Sequence, residues 1–299
     1  MEPGEKAGPS EKPDPKPLEW DEVLPPIEEK PKEAELAGAA ANDPIAETVP
    51  GVVLESAPAP RWQEAEIAWP IAIFAGFLGS AIGAKSGIPL AGTLLALALF
   101  APLYLGLVFR QRTLLAALVS VGWLTAVGAG VAGSVLEGSF SEIATASPGA
   151  LGFRDGQMLP WIQGEPPGSV GAAVLINLGV SLLVLVVARF SVGLLSLAGL
   201  AFLVSGIGAA VGWFASEAIS LEPAWACVVG TPPHRALGFL GLLSLTAVLA
   251  DRRPLLPLRE LGDSRRKLVL AGLGLLGVGV FSEPVFLSVW GSWLSEAMG

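Results

Sequence analysis

Seven stretches of apolar sequence follow one another from residue 67 onward, each ended by charge or proline, and this succession limits the fold more than any other feature. A helix crossing a bilayer needs about 20 mostly apolar residues, because without water it must satisfy its own backbone groups. The stretches run Ile67 to Ala84, Pro89 to Phe109, Thr113 to Val135, Gly171 to Ala188, Val192 to Ala215, Ala236 to Ala250 and Leu268 to about Phe281. The expected fold is therefore all-α, a polytopic transmembrane bundle of about seven spans. The sixth and seventh stretches are short. Each extends into its flanks, or the last breaks at Pro284 and leaves Val285 to Leu294 as an interfacial helix. Composition agrees: 15% of the residues are charged, against about 25% in ordinary soluble domains.

The formal charge of -9 is not spread along the chain. Residues 1 to 66 hold 16 acidic and 6 basic side chains, and the remainder 11 and 12. Residues 1 to 62 also contain 12 of the 25 prolines, a composition that buries too little apolar surface to offset the entropy of ordering. The expected domains are a disordered, acidic, proline-rich tail (1–62) and a helical membrane domain (63–299). Trp20, Val23, Leu24 and Ile27 stand among acids in the tail, as in a short docking motif; a solvated spacer is the plainer reading. The first residues have neither a basic start nor an apolar core, so no secretory signal is expected there.

Short basic connections are retained in the cytoplasm. With seven spans, and leaving out the tail, nine Lys and Arg fall on one side and three (Lys85, Arg154 and Arg235) on the other. The expectation is a multi-pass protein of the cytoplasmic membrane, with its N-terminus inside, its C-terminus outside and a long outer loop over 136–170. Trp213, Trp225, Trp290 and Trp293 fall near the outer boundary and Trp62 and Trp69 near the inner, the headgroup level that Trp prefers.

Polar residues inside apolar helices carry the functional signal, since an unpaired one costs a few kcal/mol in hydrocarbon. Asn177, in the fourth stretch, is the clearest. Glu283 ends the seventh, beside Pro284. The one histidine, His234, follows Thr231, Pro232 and Pro233, where Thr suits a helix N-cap and Pro the first turn. His234 reads first as part of a helix start, and second as a titratable sensor. Small residues recur every four positions at Gly76, Ser80 and Ala84, at Gly122, Ala126 and Gly130, and at Gly208 and Gly212. They predict close helix packing inside the bundle, or a homo-oligomer through one such face.

One cysteine, Cys227, excludes an internal disulfide and a cysteine metal cage. Metal sites and cofactors are not expected, and neither is a nucleic-acid partner. No hydrolase, metalloprotease or phosphate-loop motif occurs. The carboxylates Glu137, Glu142, Asp155, Glu165, Glu217 and Glu222 are scattered, and an enzyme built on them would need two within about 5 to 10 Å.

Residues 171 to 288 resemble the stage II sporulation protein M family. The resemblance rests on Asn177 early in a span, the glycine-rich "SVGLLSLAGLAFLVSGIGAAVG" after it, Pro-Pro-His234 opening a helix, and a basic connector leading to a last helix that ends at Glu283. The chain departs from the family's Pro-His-Gly-x-x-Glu at Arg235 and Gly238. The resemblance implies a non-catalytic membrane component that anchors or organises envelope partners. The function expected is a scaffold or assembly subunit of a cell-envelope complex, in contact with membrane lipids and other membrane or envelope proteins. The rival is a transporter or permease subunit with a polar path lined by Asn177, Ser205 and Glu283, which requires those side chains to meet at one cavity.

Overall fold

A computed structural model of the chain describes residues 60–147, 149–163, 170–250 and 261–299, with the side chains of 170–173, 264 and 284 left aside. The acidic tail up to residue 59, its Trp20 motif, Glu165 and most of the basic connector 251–260 lie outside the described residues.

Every expected apolar stretch forms a helix. After a 3-10 turn, Arg61–Gln63, come α1 (Ala65–Lys85), α2 (Ala91–Phe109) and α3 (Thr113–Glu137). The expected outer connection carries short helices in its described part: α4 (Phe140–Ala146), α5 (Ala150–Phe153), a π turn (Arg154–Met158) and α6 (Leu159–Ile162). Then follow α7 (Val170–Phe190), α8 (Leu194–Glu217), the short α9 (Pro223–Gly230), α10 (Pro233–Ala250), α11 (Asp263–Phe281) and α12 (Glu283–Met298).

By length and composition α1, α2, α3, α8 and α10 can each cross a membrane. In α7 the described apolar stretch is shorter, Val174–Phe190. The seventh stretch breaks at Ser282: α11 and α12 together pass as one span, but bent by 64°. The alternative with a break near Pro284 is the one realised; among the described residues this measure counts five spans, or six with the bent pair as one, and α7, Val170–Phe190, is a further apolar helix of 21 residues beside them. Pro284 takes the first turn of α12, where its missing amide donor costs no helical hydrogen bond.

The small-residue faces are used inside the bundle. A β-carbon on Gly130 would stand 2.6 Å from the Phe77 carbonyl oxygen, and one on Gly208 would stand 2.5 Å from that of Gly128. The first contact seats α3 on α1 and the second seats α8 on α3, so a second copy would have to use other surfaces. Trp123 is fully buried between these helices, stacked on Phe100 at 4.7 Å and donating its indole N–H to the Ala96 carbonyl at 3.2 Å. Gly193 joins α7 to α8 at φ 81° and lies against the Tyr104 hydroxyl, so this turn suits only glycine. Outward-facing Leu175, Ile176, Leu182, Leu183 and Phe190 leave α7 with an exposed apolar face.

Antiparallel succession gathers α4 to α6, α9, α12 and the starts of α7 and α10 at one end of the bundle. Lys85 and Glu137, the last residues of α1 and α3, form an ion pair there. At this end Trp290 is fully buried, donating to the Val229 carbonyl at 2.8 Å and packing on Phe153. Trp290 thus stands at the expected end of the bundle but faces inward: the 64° bend lays α12 back on α9 and α6, leaving Trp293 and Trp225 exposed. Thr231 also departs from expectation, because its hydroxyl donates to the Cys227 carbonyl at 2.8 Å and so ends α9 instead of capping α10.

Candidate functional site

Helices α10 and α11 approach more closely than side chains normally allow. A β-carbon on Gly279 would lie 2.5 Å from the Gly238 nitrogen and 2.8 Å from the His234 carbonyl oxygen, and one on Gly241 would lie 2.5 Å from the Leu276 nitrogen. Glycine at these positions lets the two backbones touch, and the close approach carries the end of α11 alongside the start of α10.

The result is a buried polar cluster. Asn177 donates its side-chain N–H to Glu283 Oε2 at 2.6 Å. The other carboxylate oxygen, Oε1, faces His234 Nε2 at 3.7 Å, an ion contact beyond hydrogen-bond reach, and both side chains are almost wholly buried, at 2% and 5% exposure. Neither imidazole nitrogen of His234 has a hydrogen-bond partner. A cavity of about 210 Å³ adjoins the cluster, bordered by Asn177, Ser181, His234, Arg235 and the glycines of the seam. Three residues singled out separately in the sequence, on α7, α10 and α12, therefore meet at one place. A buried carboxylate needs such company, because desolvating it alone costs several kcal/mol.

Ser205 is not part of this cluster. It donates to the Ala201 carbonyl at 2.7 Å and lies 3.4 Å from the Thr93 hydroxyl, a contact between α8 and α2. The polar path expected through Asn177, Ser205 and Glu283 is thus joined at two of its three points.

Sequence reasoning passed over Arg235 as a mere neighbour of His234. Its guanidinium lies over the Phe153 ring at 5.3 Å, and its Nε is buried without a hydrogen-bond partner. Arg235 borders both the small cavity and a larger one of about 630 Å³ between α3, α8 and α10. An arginine immediately before the apolar run that begins at Ala236 was the signal available.

Two of the outer carboxylates are paired with a cation. Glu137 pairs with Lys85 and Asp155 with Arg154, whose guanidinium also covers the Phe140 ring at 4.6 Å. Burial pushes the Cys227 thiol up, so it is held neutral and is a poor nucleophile. Among the described residues no three His, Cys, Asp or Glu are grouped to hold a metal ion.

No family model, curated protein or solved structure matches the chain. The cluster's own geometry therefore has to carry the functional reading.

Proposed function

We propose that the chain is a non-catalytic scaffold or assembly subunit of a cell-envelope complex, set in the cytoplasmic membrane with its N-terminus inside. The observation that carries this reading is how its buried polar groups are used. Asn177, His234 and Glu283 satisfy or face one another at one end of the bundle, and so hold α7, α10 and α12 in a fixed arrangement. They form no file of polar side chains through the apolar layer, as a transport path would need.

Charge supports the threading. Arg110, Arg112, Arg189, Arg266 and Lys267 stand at the end opposite the cluster, the end the positive-inside rule places in the cytoplasm. The platform of α4 to α6, α9 and α12 then faces outward, with Trp225 and Trp293 exposed on it. The resemblance of residues 171–288 to the stage II sporulation protein M family supports the same reading, as a family of membrane organisers.

The rival, a transporter subunit, has the 210 Å³ cavity beside the cluster in its favour. Isolation of the full chain from its native membrane in mild detergent separates the two. A scaffold co-purifies in stoichiometric amount with envelope proteins and leaves sealed liposomes tight to small solutes. A chain that purifies alone and moves a solute across those liposomes overturns the proposal.

A further inference from the structure

The larger cavity is a groove open along one side, walled by α3, α8 and α10. It follows α3 from Val121 to Leu136, about 22 Å at the helical rise, somewhat longer than half of a hydrocarbon core about 30 Å thick. Its floor is small because Thr125, Ala129 and Gly133 recur at one turn's spacing on α3, and its walls are Leu, Val, Ile and Phe. This stripe lies beside the Gly122, Ala126 and Gly130 face that packs on α1.

Arg235 is the one charged residue among those lining the groove. It stands in the first turn of α10, at the end of the bundle that holds the polar cluster. Among the described residues it makes no ion pair, and its Nε is buried without a hydrogen-bond partner. The charged or titratable groups beside it are His234 and Glu283, and Glu283 is already engaged by Asn177. An apolar slot one leaflet deep, with an under-used guanidinium at its mouth, matches an amphiphile with a chain and an anionic head. Guanidinium is the side chain best suited to a phosphate at such a place.

The cavity of about 630 Å³ is lined almost wholly by aliphatic side chains with one cation among them, which suits a chain that carries a single anionic head better than a wholly apolar helix face. We infer that this groove binds one acyl chain of an anionic phospholipid of the surrounding membrane, with Arg235 holding its phosphate. The inference is independent of the scaffold reading and survives its failure.

The test uses the full chain in mild detergent, incubated with equal amounts of phosphatidylglycerol and phosphatidylcholine of the same acyl chains and read by native mass spectrometry. The expected result is one retained lipid per chain with phosphatidylglycerol preferred. Arg235→Gln lowers that preference about tenfold, the effect of removing one charge-assisted hydrogen bond, and Arg235→Lys lowers it less. Ala129→Trp, at an exposed position on the groove floor, fills the slot and removes both lipids even if the arginine variants fail to fold. Equal retention of the two lipids by the native chain overturns the inference. So does an unchanged preference in Arg235→Gln, undiminished binding in Ala129→Trp, or a dimer mass lost with Ala129→Trp, which would make the groove a helix interface.

Discussion

Gly279 lies so close to Gly238 that a β-carbon on it would stand 2.5 Å from the Gly238 nitrogen, and four residues further on Glu283 reaches His234 at 3.7 Å. The two facts are one: the backbone contact sets the distance across which the carboxylate and imidazole face each other.

Gly279→Ala must push α11 off α10, because the atoms it meets are backbone and cannot swing aside. The expected cost is about 1 to 3 kcal/mol, read as a lower unfolding temperature in detergent. Gly274→Ala on the same helix meets nothing within 4 Å and is expected to raise stability by about 0.5 to 1 kcal/mol through helix propensity alone. Equal effects from the two would deny the seam its role.

Asn177→Leu leaves the Glu283 carboxylate without its hydrogen bond and is expected to destabilise by about 1 to 3 kcal/mol. Adding Glu283→Gln should recover part of the loss, because the buried charge is gone. A double-mutant cycle on unfolding midpoints should return a coupling of about 0.5 to 3 kcal/mol; a coupling of zero means that the pair does not interact.

Trp290 and Trp293 are three residues apart but face different surroundings. Trp290→Ala empties a fully buried site, at a cost of about 3 to 5 kcal/mol. It should also free α12 to proteolysis. Trp293→Ala, at 46% exposure, should change stability in detergent by less than about 1 kcal/mol. Limited proteolysis of the two variants compares them directly.

Threading is checked in a Cys227→Ser background, which leaves no other thiol. A cysteine at Ser141, in α4, should react with a membrane-impermeant maleimide on intact cells, and one at Gln111, between α2 and α3, should react only after lysis. The reverse pattern turns the bundle over.

Much of this protein was legible in one dimension. Where helices run, where glycine and alanine let them touch, and which charges stand in the connections are properties of local sequence, because hydropathy and small-residue spacing act over one or two turns. Asn177, His234 and Glu283 could each be singled out by the cost of burying a polar group. That they meet could not be read, since they lie on three helices and their approach depends on how each helix is rotated and how tightly α10 and α11 close. The same holds for Trp290, where an interfacial anchor and a buried core residue have one local signature until the bend at Ser282 chooses between them. The groove beside Arg235 is likewise a product of packing, because a space between three helices belongs to none of them alone.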